Sequence, residues 1–104
     1  MRNIANEDAN DEGYRFRNLS AQSIAEEIAS IGAHFYVYSE RIVSLGINGI
    51  YVSTLLFGAE DRNDFLAVLR EIGVKNHLHE SAIIEQLEFC KERISYSTLA
   101  EGTF

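Results

Sequence analysis

Residues 34–57 read HFYVYSERIVSLGINGIYVSTLLF, and the fold class depends on how this segment folds. Half of these residues are β-branched or aromatic, types that fit a pleated sheet better than a helix. Asn48-Gly49 matches the pair of positive-φ residues in a tight hairpin turn. Counting outward from this turn pairs side chains on one face of two strands: Ile47 with Ile50, Leu45 with Val52, and Val43 with Thr54. The segment therefore predicts a β-hairpin.

The flanking residues extend this hairpin into a small sheet preceded by a helix. A shorter turn at Ser39-Glu40 adds a strand over residues 34–38, so the predicted sheet is a three-stranded antiparallel meander. Residues 42–59 carry no charged side chain, which is typical of a segment in the interior. Upstream, Ser20 is suited to cap an amphipathic helix over residues 20–31.

Two further helices are predicted after the sheet. Phe65, Leu69 and Ile72 share one face of a helix over residues 62–72. A second helix covers residues 78–95, with apolar positions at spacings of 4, 3 and 4: Ile83, Leu87, Cys90 and Ile94. The predicted fold class is therefore α+β, with an N-terminal helix, a three-stranded antiparallel meander and two C-terminal helices packed on one side of it.

An all-α alternative remains open, a helical bundle with one long helix over residues 20–45. Seven apolar residues in this region recur at spacings of 4, 3, 4, 3, 4 and 3, which is typical of a helix. They are Ile24, Ile28, Ile31, Phe35, Tyr38, Ile42 and Leu45. Against the long helix, Gly32 interrupts the pattern at a cost of about 1 kcal/mol relative to alanine. The residue types favour the sheet, whereas the spacing favours the helix.

The length of 104 residues fits a single domain. We predict a globular domain over residues 14–96, an acidic flexible arm over residues 1–13 and a flexible tail over residues 97–104. Tyr14 and Phe16 belong to a short basic-aromatic stretch, and we expect their rings to dock on the domain as an extended segment while the neighbouring arginines face solvent.

The net charge argues against several classes of partner. Nine basic against sixteen acidic residues give a formal net charge of −7. A surface of this sign repels phosphate backbones and anionic lipids, so we expect neither a nucleic-acid nor a membrane partner. A protein partner with a basic surface is favoured instead. The single cysteine excludes an internal disulfide, and the first dozen residues lack a signal-peptide pattern, so a cytoplasmic location is expected.

No constellation of residues predicts catalysis, a metal site or a cofactor. His77, His79 and Glu80 lie close in sequence, and together with Cys90 they offer the ligand types that zinc prefers. Structural zinc usually takes two close pairs of ligands, however, and Cys90 falls on the apolar side of its predicted helix. The same position argues against a thiol nucleophile, which needs an electropositive and partly exposed site. We therefore predict a protein that is not an enzyme and needs neither metal nor cofactor.

The predicted binding residues lie on the polar side of the helix over residues 78–95. They are Glu85, Glu88, Phe89 and Glu92. A rotation of 100° per residue places Phe89 next to Glu85 and away from the apolar side, so this aromatic ring is expected to be exposed. Exposed aromatic residues among charges often anchor protein interfaces. We predict that these four residues contact the partner.

The predicted function is that of a small acidic non-catalytic protein-binding module, such as an inhibitor, an immunity-type protein or a chaperone-like protein, acting on a basic partner surface. One alternative is an oligomeric small-ligand or metal-binding protein, with a polar pocket over the less apolar face of the sheet lined by Tyr36, Tyr38, Tyr51 and the histidines. Another is a DNA-binding regulator whose last two helices form a helix-turn-helix, although their glutamates have the wrong charge for phosphates. A homo-oligomer is a further option, because an uncovered sheet edge favours pairing between copies.

Overall fold

The computed structural model describes the backbone of residues 15–102 and the side chains of residues 15–94, and its named elements are all helical. They are α1 (Ala21–Ala29), a 3-10 turn (Ala33–Phe35), α2 (Tyr36–Leu45), α3 (Gly49–Val52), a π-helical turn (Ser53–Phe57), α4 (Asn63–Glu71) and α5 (His77–Gly102). No strand occurs in the described part of the chain. The predicted α+β fold with a three-stranded meander is therefore wrong, and residues 15–102 form an all-α fold.

The Asn48-Gly49 pair begins a helix and does not form a hairpin turn. The side chain of Asn48 caps α3, because its Oδ1 accepts a hydrogen bond from the Tyr51 amide at 3.0 Å. Gly49 lies so close to the preceding chain that a Cβ there would overlap the carbonyl oxygen of Phe16. Asparagine favours helix caps as strongly as turns, and glycine is required here for close approach. Asn48-Gly49 therefore suits a capped helix start as well as a hairpin turn, and only the turn was predicted from the sequence.

The predicted strand pairs are also wrong, because their members do not share one buried face. Val43, Leu45 and Ile50 are exposed. The buried positions Gly49, Val52 and Leu56 follow one another at the helical spacings of 3 and 4, whereas buried Ile42 belongs to α2 and buried Ile47 to the link between α2 and α3. Packing on a common core thus overrides the strand preference of the β-branched residues.

The long helix of the all-α alternative is divided at Gly32. α1 ends at Ala29, the 3-10 turn follows, and α2 runs back along α1. Buried Ser39 ties the two helices together, because its hydroxyl donates to the Ala25 carbonyl oxygen at 2.7 Å. α2 in turn ends at Gly46, whose φ of 71° is the left-handed conformation that favours glycine. The apolar spacing continues across the break as far as Ile42 because both helices turn one side toward the same core, whereas Leu45 is exposed.

The two C-terminal helices begin within one residue of their predicted starts. Asp61 accepts a hydrogen bond from the Asn63 amide at 2.9 Å as α4 begins, and Asn76 accepts from the Leu78 amide at 2.7 Å as α5 begins. α5 continues to Gly102, past the predicted end at residue 95 and through most of the segment predicted as a tail. The predicted acidic arm, residues 1–13, and Tyr14, the other predicted docking residue, lie outside the described residues.

The core holds α5 in a fixed orientation. Four of its apolar side chains are buried against the other helices, namely Ile83, Ile84, Leu87 and Cys90. Phe16 is also fully buried, as expected of a docking residue, and its ring meets that of Phe57 edge-on at 5.3 Å between centroids. Residues 15–17 are helical, however, and not extended. Because one side of α5 is packed in this way, the other side faces solvent.

Candidate functional site

The exposed side of α5 brings together three of the four predicted binding residues. Glu85, Phe89 and Glu92 are separated by four and three residues, so they follow one another along a single helix face. Leu78 precedes Glu85 by seven residues and joins the same face, and it is 77% exposed. We call these four residues, Leu78, Glu85, Phe89 and Glu92, the outer face of α5. Leu78 was not predicted, although its spacing from Glu85 was visible in the sequence.

Glu88, the fourth predicted residue, is engaged within the chain. Its Oε2 lies 2.8 Å from Nη2 of Arg62, in the segment that precedes α4. Both side chains are about half exposed, so the pair contributes at most about 1 kcal/mol to stability. Glu88 therefore lies at the edge of the outer face, where its charge is partly balanced. No sequence pattern indicated this pairing, because the two residues are 26 positions apart.

Phe89 is 56% exposed and has a cationic neighbour on one side. The guanidinium carbon of Arg93 lies 5.6 Å from the centroid of the Phe89 ring. Arg93 is also held by Glu27 of α1, with its two terminal nitrogens 2.8 and 3.1 Å from the carboxylate oxygens. The positive charge of Arg93 is thus balanced by Glu27, which leaves Glu85 and Glu92 to set the charge of the outer face.

The Glu27–Arg93 pair fixes α1 against α5 and shapes the local electrostatics. Hydrogen bonds from Arg93 lower the pKa of Glu27, with a smaller effect from the Gln86 amide at 2.6 Å, and partial burial opposes them. Burial raises the pKa of Cys90 to about 11, and the nearby charge of Glu27 adds to the rise. Cys90 is therefore a neutral thiol near pH 7. This arrangement is unsuited to nucleophilic attack, which needs the thiolate.

The histidines and tyrosines do not line a common pocket. The Tyr38 hydroxyl lies 2.8 Å from Nδ1 of His79, and both rings pack against Phe35. Tyr38 is buried in this aromatic cluster, whereas Tyr36 and Tyr51 are exposed. The sheet on which the predicted tyrosine pocket depended is absent from residues 15–102.

The residues considered as zinc ligands, His77, His79, Glu80 and Cys90, have different neighbours in the structure. His77 Nδ1 lies 3.3 Å from a carboxylate oxygen of Glu80, and Cys90 faces the core. Among the described residues, no group of three or more histidine, cysteine, aspartate or glutamate side chains is placed to hold a metal ion.

A second surface feature is a groove between α1 and α2. It encloses about 380 Å³ and is open to solvent. Its lining includes Ala25, Glu26, Ala29, Ser39, Glu40 and Val43. Sequence reasoning missed this groove, which we call the α1–α2 groove, because Val43 was assigned to the buried face of a strand. The spacing of Ala25 and Ala29, one helical turn apart on α1, was the available signal.

Comparisons of the chain with protein-family models, with curated proteins and with solved structures found no match. Within residues 15–102, no helix combines the length and the apolar character that a bilayer crossing requires.

Proposed function

We propose that this protein is a small non-catalytic protein-binding module whose outer face of α5 contacts a basic surface on another protein, as an inhibitor, an immunity-type protein or a chaperone-like protein does. The observation that carries the proposal is the exposure of Phe89, at 56%, on a helix face that also bears Glu85 and Glu92. A large aromatic side chain is a frequent interface anchor, and the carboxylates flanking it suit lysine and arginine.

The negative charge of the whole chain and the negative charge of the outer face both support a basic partner. The whole chain has a formal net charge of −7, which attracts a cationic protein over a long range. On the outer face itself, neither Glu85 nor Glu92 forms an ion pair within residues 15–94. Their negative charge is therefore available to a partner without breaking an internal contact.

The rigidity of α5 also supports the proposal, because a preformed surface loses little conformational entropy on binding. Two ion pairs and one cation–π contact link α5 to other elements. They are Arg93 with Glu27, Glu88 with Arg62, and Lys91 with the ring of Phe57 at 5.2 Å. These contacts lie beside the outer face, and none of its four residues takes part in them. Phe89 touches one of the residues involved, because its ring lies beside Arg93.

The other candidate functions have less support. The helix-turn-helix arrangement would present Glu85 and Glu92 to a phosphate backbone, which repels them. Two copies meeting through their outer faces would bring the same carboxylates together. The buried free thiol of Cys90 suits a reducing compartment, so we place the proposed function in the cytoplasm.

The proposal is tested by comparing what three immobilised variants capture from an extract of the cells that express the chain. Phe89→Ala and Glu85→Lys/Glu92→Lys alter the outer face. Glu60→Lys/Glu71→Lys makes the same change in net charge at exposed positions elsewhere. We expect one stoichiometric protein, basic where it contacts the chain, to be captured by the wild type and the control and lost from both outer-face variants. Equal capture by all variants would contradict the proposal.

A further inference from the structure

The bottom of the α1–α2 groove is apolar and recessed, because the side chains at the contact between the two helices are small. Ala25 and Ser39 are buried at the contact, and the Ser39 hydroxyl bonds the Ala25 carbonyl across it. Ala29 lies one turn further along α1 and is half-buried, and the exposed Val43 borders the floor from α2. These four side chains leave a mostly apolar channel on the outside of the helix pair.

The rim of the groove is acidic on both sides. Glu26 lines it from α1 and Glu40 lines it from α2, and both residues are exposed. The only hydrogen bond of the Glu26 side chain within the described residues comes from the Gln22 amide at 3.2 Å, and Glu40 has no side-chain hydrogen bond there. A ligand lying in the groove therefore meets apolar carbon beneath it and a carboxylate on each flank.

The shape of the groove favours a helix over a small molecule. Small-ligand sites enclose most of the surface of their ligand, whereas this groove is largely open to solvent. It follows α1 from Gln22 to Ala29, a rise of about 10 Å or two helical turns. A groove between two helices is a common docking site for an amphipathic helix, which inserts side chains spaced at i, i+3 or i+4, and i+7.

The charge of the acidic rim indicates which helix fits the groove: one from a second copy of the chain, one from its first thirteen residues, or one from another protein. A second copy of the chain would place Glu26 and Glu40 against their own counterparts. The first thirteen residues of the chain carry four acidic residues and one arginine, so they have the same sign as the rim. A lysine- or arginine-flanked helix has the complementary charge.

We propose that the α1–α2 groove binds a basic amphipathic helix of another protein, with the apolar side of that helix on Ala25, Ala29 and Val43 and its cationic flanks beside Glu26 and Glu40. This site lies apart from the outer face of α5 and does not depend on it. The proposal therefore adds a second contact surface and fixes the kind of element that fills it.

A synthetic peptide supplies the probe for this site. It is an amidated helical peptide of leucine, lysine and alanine, with leucines along one face and lysines on both sides of that face. The comparison peptide has the same composition, but its leucines and lysines are redistributed so that no apolar face forms. Fluorescence anisotropy measures the affinity of each peptide at fixed ionic strength, and ¹⁵N-resolved NMR spectra locate the bound peptide on the protein. We expect saturable binding of the amphipathic peptide, with the largest shifts at Ala25, Ala29 and Val43.

Three double variants separate groove binding from general attraction to an acidic protein. Glu26→Lys/Glu40→Lys is expected to weaken binding by about tenfold or more, since two attractive flanks become repulsive. Glu60→Lys/Glu71→Lys makes the same change in net charge and is expected to weaken binding less than about threefold, through the long-range field alone. Glu85→Lys/Glu92→Lys alters the outer face and is expected to resemble this control. Circular dichroism confirms that each variant retains its helical content.

Val43→Lys provides a further test at the floor of the groove. This side chain is already exposed, so the substitution leaves the core intact, and we expect at least a severalfold loss of affinity. The proposal is overturned if the amphipathic peptide does not saturate, if the redistributed peptide binds equally well, or if the shifts cluster around Phe89. These outcomes concern the groove alone, because Glu26→Lys/Glu40→Lys and Val43→Lys leave the outer face unchanged and the peptide replaces the captured protein as the ligand.

Discussion

Gly49 shows how one residue can determine the path of the chain at a helix start. Its amide donates to the Leu19 carbonyl oxygen at 2.8 Å, and its missing side chain leaves room for the carbonyls of residues 16 and 17. Alanine is normally the better helix residue by about 1 kcal/mol. At this position, however, its Cβ would force two backbone segments apart. Helix propensity would make alanine stabilising at position 49, whereas steric overlap would make it destabilising. The sign of the stability change in Gly49→Ala therefore distinguishes the two effects.

We predict that Gly49→Ala destabilises the protein by about 1–3 kcal/mol, as overpacking does in other cores. Gly32→Ala is the matched control, because a Cβ at residue 32 would meet nothing within 4 Å and the φ of 162° there is extended backbone. This control should be neutral or stabilising by less than about 1 kcal/mol. Urea unfolding of both variants measures the difference, and a stable Gly49→Ala protein would contradict the close contact with residues 16 and 17.

The Glu27–Arg93 pair predicts a dependence of stability on pH. Because the pKa of Glu27 is lowered on folding, the ionised carboxylate stabilises the folded protein above its ordinary pKa of 4.5. This stabilisation is lost as the pH falls through the lower, folded value. We expect Glu27→Gln to cost about 1 kcal/mol near pH 7 and progressively less below pH 4.5.

Urea unfolding at several pH values measures this effect. Glu26→Gln is the control, since that carboxylate is exposed and accepts a hydrogen bond only from Gln22 within the described residues. A constant difference between Glu27→Gln and the wild type across the acidic range would show that the charge of Glu27 does not stabilise the fold.

At the scale of the elements, a helix could be predicted where its residue types and their spacing suited a helix and no other structure. α1, α4 and α5 were predicted from their apolar periodicities, and Ser20 also marked the start of α1 as a capping residue. Residues 34–57 were misassigned because β-branched residues and Asn48-Gly49 suit both a hairpin and capped helices. Only packing on the rest of the chain, including Phe16 against the start of α3, selects the helices.

The outer face of α5 could be predicted from the sequence, whereas the α1–α2 groove could not. The outer face of α5 lies within one helix, so periodicity alone placed Phe89 beside Glu85. The pairing of Glu88 with Arg62 and the α1–α2 groove each depend on two elements. No local pattern specifies how two helices meet, and the sequence therefore did not predict either feature.

The contact between α1 and α2 depends on Ser39, and its removal tests how the two helices are held. We predict that Ser39→Ala loses about 1 kcal/mol of stability relative to Ser44→Ala, an exposed serine on the same helix. The comparison cancels the gain in helix propensity that both variants share. Thermal or urea unfolding provides the measurement. Equal stability of the two variants would mean that the bond to the Ala25 carbonyl contributes nothing net.

At the scale of the whole molecule, charge and apolar contact should act on different steps of binding. Long-range attraction by an acidic protein speeds association and is weakened by salt, whereas a buried aromatic ring slows dissociation. With the partner captured, we predict that Glu85→Lys/Glu92→Lys lowers the association rate by about tenfold at low salt, with a smaller loss at high salt. Phe89→Ala should chiefly raise the dissociation rate. Surface plasmon resonance separates the two rates, and unchanged rates in both variants would place the interface elsewhere.

The most direct test of the proposed binding function is photo-crosslinking from position 89 in living cells. Phe89→p-benzoylphenylalanine places the reactive group on the outer face of α5, and Arg70→p-benzoylphenylalanine places it on an exposed position of α4 as the control. We predict that position 89 crosslinks to a single protein, that the crosslinked peptide is rich in lysine and arginine, and that position 70 does not capture this protein. Identical products from the two positions, or no product from position 89, would contradict a binding surface on α5.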